Sequence, residues 1–497
     1  MLEVIRSRAA FILFLFLAGC TTVGPDYHRP DVDVPSGWRV NYKTAADLAN
    51  AEWWKGFKDP ALDGLIHSAL EDNKDLRIAS YRVQEYAAAL QVSQSGSMPQ
   101  LGYGVSASRD SFSLNRPIPL PDDTSRINGN YQANLGLSWE LDLWGRIRRS
   151  NEAALATLLS AEQGRRSVIL TLISDVATSY IDLLNLDAQL QIARNTLEGR
   201  RQSLHLFEIK FKGGAVSELE LAQVRSEYEE AAAYVPALER RIAVAENALS
   251  VLIGRNPASI TRDRGITELV LPPVPEGLPS ELLVRRPDIV EKEQNLIAAN
   301  AQIGIAKSQY FPSISLTGIL GYASIALSDL SGADSLFWTA GANAAGTIVS
   351  GGRISGNVEQ AEAVKQEVLN DYLRTIQKAF QEVDDALISH AKYQEELEIQ
   401  QRRVVALQDY ARIANKRYDD GFSTYLEVLY AERSLYAGQI ALAQTRHDVY
   451  ASLVSIYKAL GGGWNNTGDQ GKGKQFTDTN ASKANPAEPL KTDKDKI

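Results

Sequence analysis

The residues able to do covalent or metal chemistry in this 497-residue chain are few and badly spaced for it. The five histidines, His28, His67, His205, His390 and His447, never fall at i, i+4. No single helix therefore offers a zinc pair, although ligands from distant segments could still meet in space. There is no GxSxG elbow and no Walker loop, and the nearest glycine-rich stretch, Leu101-Gly102-Tyr103-Gly104, alternates as a strand does. Nothing marks a catalytic or metal-binding residue. Two features remain: a lone cysteine, Cys20, and two carboxylates, Glu220 and Glu427, that hold equivalent places in an internal repeat.

Cys20 sits at the end of an export signal. Arg6 and Arg8 form a positive flank, Phe11 to Leu17 is an unbroken apolar run, and Ala18-Gly19 supplies small residues before a cleavage point. The run is too short to span a bilayer, which takes roughly 20 residues. Leu17-Ala18-Gly19-Cys20 resembles the bacterial lipobox, in which the cysteine is acylated and becomes the first mature residue. A disulfide would need a second cysteine, and a reactive thiol has no evident use beside an apolar signal core. A covalent lipid on Cys20 is the one attached group expected, with no other cofactor. Thr21 follows where experience of such proteins associates Asp with inner-membrane retention, so the resemblance points to the outer membrane.

The formal charge of −9, with no basic cluster, argues against nucleic acid as a partner. After Leu17 no uninterrupted apolar stretch approaches the ~18 residues of a helical span, so any further membrane crossing must be a β-barrel.

The chain repeats itself. Residues 73–80, NKDLRIAS, align with 286–293, RPDIVEKE, and the same offset places Met98-Pro99-Gln100-Leu101 on Phe311-Pro312-Ser313-Ile314. A slightly shorter offset then carries Gly145 onto Gly352, Gly214 onto Gly421, Leu219 onto Leu426, Glu220 onto Glu427 and Gly254 onto Gly461. The chain thus divides into a signal peptide (1–19), an N-terminal anchor and equatorial segment (20–60), a first repeat (61–254), a proline-rich equatorial linker (255–285), a second repeat (286–461) and a tail (465–497). Each repeat should hold a helix, two strands, a very long helix and a return helix. The strands are expected at 99–114 and 129–143, then 312–324 and 335–349. The long helices are expected at 146–212 and 353–418, and their returns at 217–254 and 423–461. The tail lacks apolar periodicity and is expected to be disordered.

The strands are apolar on one side only. Leu101, Tyr103, Val105 and Ala107 share a face in one, and Tyr131, Ala133, Leu135, Leu137, Trp139 and Leu141 in the next, with Asn130, Gln132, Asn134, Gly136, Ser138 and Glu140 between. Period 2 of this kind fits a half-buried soluble sheet or a barrel with lipid outside and water inside; the export signal favours the barrel. Four strands cannot close one, since the smallest have about 8, and an open sheet in lipid leaves backbone groups unpaired. The chain must then oligomerise: two copies give about 8 strands, a barrel largely filled by side chains, and three give about 12 with room for a lumen. Arg146 to Lys212 runs 67 residues without proline. At about 1.5 Å per residue, a helix of that length reaches roughly 100 Å.

Five segments in order complete the pattern: GPDYHRP (24–30), WWKGFKDPALDGLI (53–66), LDLWGRIR (141–148), LLVRRPDI (282–289) and IGIAKSQYFPSISLTG (303–318). On these the chain, over about residues 20–464, resembles the TolC-like outer-membrane factors of bacterial efflux and secretion systems, most closely the lipoprotein branch that serves multidrug efflux. The resemblance implies an α+β membrane protein. Three protomers would form a 12-stranded barrel and a long α-helical periplasmic tunnel belted by an equatorial region. It implies a periplasmic adaptor, or membrane fusion protein, meeting the helix tips at Gly213, Gly214 and Gly421, and an inner-membrane efflux transporter beyond it. Glu220 and Glu427 match acidic positions of the family's periplasmic constriction, where rings of like charge would favour cations. Leu426 matches a position able to form an apolar constriction. Tyr430 replaces a second acid and Ser423 replaces an arginine of the gate-closing network, so the charged latch of the family is incomplete. Trp139, Trp144 and Trp338 suit an interfacial girdle or core packing equally. Export of small toxic compounds leads. Metal-ion efflux and type I protein secretion share the architecture, and Met98, the one internal methionine, offers no thioether relay for a metal. A non-conducting structural lipoprotein is the alternative from another class.

Overall fold

The computed structural model describes residues 22–35, 37–39, 52–113, 125–274 and 279–462. Cys20, the signal peptide and the tail from 465 lie outside these residues. The elements are α1 (Pro60–Asp72), α2 (Lys74–Ser95), β1 (Gln100–Ser111), β2 (Ile127–Leu141), α3 (Arg146–Lys212), α4 (Glu218–Leu252), α5 (Leu282–Arg285), α6 (Pro287–Ser308), β3 (Ser313–Ser324), β4 (Leu336–Ala345), α7 (Arg353–Asp419) and α8 (Tyr425–Ala459). The duplication holds residue for residue: α2 and α6 each have 22 residues, β1 and β3 each 12, α3 and α7 each 67, and α4 and α8 each 35. β2 and β4 differ, at 15 and 10 residues. β4 stops at Ala345 rather than at 349, and the next residue, Gly346, lies close against Pro312; a Cβ on that glycine would come 3.2 Å from the Pro312 Cα.

The chain folds as two compact units. One takes the segments ending at Gly37, Lys74–Val168 and Pro279–Gln381; the other takes Trp38–Asn73, Ile169–Leu278 and the chain from Glu382 on. The first unit holds an antiparallel sheet of order β1-β2-β3-β4. Its register aligns the alternation of all four strands: Tyr103 stands opposite Leu135, Leu135 opposite Leu320 and Leu320 opposite Trp338, while the neighbouring row runs Gly104, Asn134, Gly321, Phe337. Because side chains alternate faces, the apolar row crosses the entire sheet on one side. That side is not a core, for Leu101, Tyr103, Val105, Leu320 and Trp338 are all exposed in the single chain.

A strap of residues 22–30 lies against the helices of the same unit. Val23 N donates to Trp144 O (3.0 Å), the buried Arg149 guanidinium donates to Asp26 (2.7 Å), and Asn300 Nδ2 donates to Pro25 O (2.8 Å). Tyr27 and Arg29 both donate to the Glu293 carboxylate. Gly24 has φ +100, and a Cβ there would fall 2.5 Å from the Gly304 Cα, so both the turn and the close approach require glycine.

The second unit buries the conspicuous aromatic segment. Trp53 stacks on Tyr457 (4.8 Å between rings), and Asp59 caps α1 by accepting from Ala61 N (2.9 Å) while also accepting from the Tyr180 hydroxyl (2.9 Å). The linker packs on α8, where Tyr450 and Tyr457 donate to Leu269 O and Pro273 O, each at 2.8 Å. One 18-residue window of α3 is apolar enough to cross a membrane, which corrects the expectation that no such helix follows the signal; 61% of that window is buried in the protein. Ile173, Val176, Tyr180, Ile181 and Leu184 form its buried stripe, so the apolar run serves a core.

Candidate functional site

The expected site residues gather where the two helical hairpins of the second unit turn. α3 and α7 end in the same way. Ala215 N donates to Lys210 O (2.8 Å) and Gly214 N to Phe211 O (2.9 Å); Phe422 N donates to Arg417 O (2.8 Å) and Gly421 N to Tyr418 O (3.0 Å). These are paired Schellman motifs, with Gly214 (φ +72) and Gly421 (φ +78) in the left-handed conformation that glycine adopts without a Cβ clash. Gly213 does not take that conformation; its N–H donates to Ile209 O (3.0 Å) and so ends the helix ladder instead.

The helices that leave the turns begin differently. Ser217 caps α4 in a reciprocal box: Glu220 N donates to Ser217 Oγ (3.2 Å), and Ser217 N (2.8 Å) and Oγ (2.9 Å) donate back to Glu220 Oε2. The Glu220 carboxylate therefore closes the helix end. Thr424 makes no side-chain cap on α8, and Glu427, the repeat equivalent of Glu220, has among the described residues Arg417 Nε at 3.9 Å as its ion-pair partner. Around it Leu426 and Tyr430 are exposed, as are Leu219 and Phe422 at the other positions facing outward from the turns. Ser423 Oγ is buried without a hydrogen-bond partner, so no polar latch is made through it among the described residues.

Beneath the turns lies an apolar cluster of Phe207, Val224, Ala411, Ala414, Tyr425, Val428 and Leu429, drawn from α3, α4, α7 and α8. The Tyr425 ring sits 4.4 Å from Phe207 and 5.2 Å from Tyr418, and the Lys210 ammonium lies 5.2 Å over Tyr418. Burial, then the nearby Glu432 charge, pushes the Tyr425 phenol up to about 12. Burial raises Tyr418 as well, with Glu220 and Asp419 adding to it.

A layer deeper is a charged network that the sequence did not suggest. Arg200 of α3 and Glu227 of α4, each 5% exposed, lie 3.3 Å apart, and Arg200 reaches Glu432 of α8 at 2.7 Å. Arg433 pairs with Glu227, and Asn415 of α7 donates to Glu432 (3.3 Å). The network opens on a groove of 810 Å³ lined by Arg200, Glu227, Tyr234, Arg241, Arg433 and Tyr436, with the two tyrosine rings stacked at 5.0 Å. Among the described residues no group of three or more His, Cys, Asp or Glu side chains is placed to hold a metal.

A four-stranded sheet with an exposed apolar face, carried with duplicated 67-residue helices, defines a protomer of an assembled membrane channel. The chain belongs to the outer membrane efflux protein family, which it matches over residues 65–255 and 278–462. It is 37% identical over 474 residues to the solvent efflux pump outer membrane protein SrpC of Pseudomonas putida, covering 92% of this chain and 98% of that one. It is 36% identical over 461 residues to the cation efflux system protein CusC of Escherichia coli, covering 91% and 98%. Among solved structures it resembles the outer-membrane channel OprN (TM-score 0.82, 29% identity, 89% of this chain and 100% of that one). The open state of the Neisseria gonorrhoeae MtrE outer membrane channel is similar (TM-score 0.81, 29% identity, 89% and 99%).

Proposed function

We propose that three copies of this chain form the exit duct of a tripartite efflux pump, closing a 12-stranded barrel in the outer membrane above an α-helical periplasmic tunnel. The observation that carries this is the apolar row Tyr103, Leu135, Leu320, Trp338, which suits a face turned to lipid, on a sheet whose edge strands β1 and β4 each lack a partner on one side among the described residues. In lipid, those edges demand neighbours. No bond is made or broken: the protein conducts, and control lies in the width of the periplasmic end. Leu426 and Tyr430 narrow the tunnel by bulk, and Glu427 and Glu220 supply negative charge there. The turns at Gly213, Gly214 and Gly421 meet a periplasmic adaptor, which joins the duct to an inner-membrane transporter. Cys20 carries the lipid that adds a second anchor to that of the barrel.

The cargo on this reading is small toxic compounds, in keeping with the solvent efflux relative. Metal-ion efflux is the second reading, favoured by the similarity to a cation efflux protein. Reconstitution in planar bilayers tests the duct. The wild type is expected to conduct weakly, with Leu426→Ser and Tyr430→Ala conducting more. Silence in all three, despite verified insertion, would leave a structural lipoprotein in place of a channel.

A further inference from the structure

The row of the sheet that runs Gly104, Asn134, Gly321, Phe337 points away from the apolar row and so, in a barrel, toward water. Over the paired strands this face carries two ionisable side chains, Asp110 at the far end of β1 and Glu140 near the end of β2. Where the strands meet the helices, Glu140, Arg146, Ser313, Ala345, Thr347 and Arg353 line a groove of 420 Å³, and Glu140, Ser313 and Ala345 place it on that same face. The internal repeat superposes Arg146 and Arg353. Each is the first residue of a 67-residue helix and follows a glycine of positive φ, Gly145 (+79) or Gly352 (+86). A cation there opposes the positive end of the helix dipole, and neither first turn holds an acid to offset it. Arg146 is compensated by Glu140, which accepts from its Nε (2.9 Å) and Nη2 (2.7 Å). Asp142 caps α3 by accepting from Ile147 N and Arg148 N, each at 2.9 Å, and pairs with the Arg148 side chain. In the second repeat Thr347 stands where Glu140 does, and Val349 where Asp142 does. Arg353 is exposed and has no carboxylate partner among the described residues; its one hydrogen bond is a long one, to Gln309 Oε1 at 3.5 Å.

Resting on the duct reading, we infer that Arg353 is a specificity-determining residue of the conduit. Three copies form a ring of positive charge where the helical tunnel meets the barrel. The ring favours small anions over small cations in that section, opposite in sign to the bias of Glu220 and Glu427 at the periplasmic end. The first repeat contributes nothing to the ring, because Glu140 cancels Arg146.

Ala345→Cys sets an exposed thiol on the groove that Arg353 lines. Sulfonatoethyl and trimethylammonioethyl methanethiosulfonate, one anionic and one cationic, then read the local potential as a ratio of modification rates, followed by mass on the assembled protein with the chain lacking that cysteine as the blank. In 0.01 M salt, where screening sets in over ~30 Å, Arg353→Gln is expected to lower the anionic-over-cationic ratio roughly threefold; in 1 M salt, with a screening length of ~3 Å, the difference should shrink to within about 1.5-fold. Arg353→Lys, which keeps the charge, should hold the ratio of the parent. A ratio that Arg353→Gln leaves unchanged in 0.01 M salt would overturn the inference. Should Arg353→Gln fail to assemble, Asn357→Asp, which sets a carboxylate one helical turn along from Arg353, is expected to lower the ratio in its place, and no change there counts equally against the inference. The face is tested in planar bilayers with Leu426→Ser also present: attachment at Ala345→Cys should change the current, and attachment without effect would put the groove outside the conduit. A Leu426→Ser channel that never conducts would overturn the duct reading and this inference with it. A conducting channel whose rates ignore Arg353 overturns this inference alone.

Discussion

The turn after α3 and the turn after α7 share a backbone and differ in what their carboxylates do. Both end in a Schellman motif with glycine at the left-handed position, and both return helices run 35 residues. Yet Glu220 accepts two hydrogen bonds from Ser217, whereas Glu427 faces Arg417 at 3.9 Å, and Thr424 makes no side-chain cap. After a duplication, backbone geometry persists because hydrogen-bond closure demands it, while a side chain outside that closure is free to take up another task. The second turn is where conduction should be controlled.

The largest test exchanges the two leucines. On the duct reading, Leu426→Ser would remove about 2 kcal/mol of apolar contact from the constriction, roughly thirtyfold in the closed-to-open ratio, and should raise conductance accordingly. Leu219→Ser, at the equivalent place in the first turn, should stay within about a factor of two, as surface changes do. Equal effects in single-channel records would mean that the turns share the gate. A smaller effect runs the other way: Glu220→Ala should cost about 1 kcal/mol of stability through loss of the capping box, and Glu427→Ala about 0.5 kcal/mol or less. Urea midpoints of the two variants decide it, and a larger loss at Glu427 would break the comparison.

The smallest effect at neutral pH is that of Tyr425, which stands in α8 where α4 has Glu218. The folded phenol titrates at about 12 and an unfolded one near 10, so between those values the unfolded chain binds fewer protons and stability falls as pH rises. The loss is at most ~1.4 kcal/mol per pH unit and is absent below about pH 9. Tyr425→Phe should leave stability at pH 7 within about 0.5 kcal/mol and flatten the decline above pH 10, as thermal unfolding across pH would report.

Much of this architecture is legible in the chain. Arg146–Lys212 is free of proline and is one helix over those residues, and the period-2 alternation around Leu135 marks a strand because each strand has one apolar face. Ser217-Glu218-Leu219-Glu220 also spells a capping box, a local signal that a reading of Glu220 as a constriction charge passes over. α4 continues through Pro236, where local preference alone would place a break; packing of Ala231 and Leu238 on either side of it outweighs the lost hydrogen bond. The Arg200 network has no such signal. Its members come from residues 200, 227, 415, 432 and 433, and in sequence each looks like a solvated helix residue; only tertiary packing makes them neighbours.

The strap at residues 22–30 fixes an order of events. Arg29 finds Glu293 across 264 residues of chain, and Gly24 needs Gly304 beneath it. The strap can meet Trp144 and Arg149 of the first repeat, but its contacts with Glu293, Asn300 and Gly304 must wait until the second repeat has been delivered. The strap is among the last parts of this protein to be finished, and a chain cut short after its first repeat would hold it by half of its contacts at most.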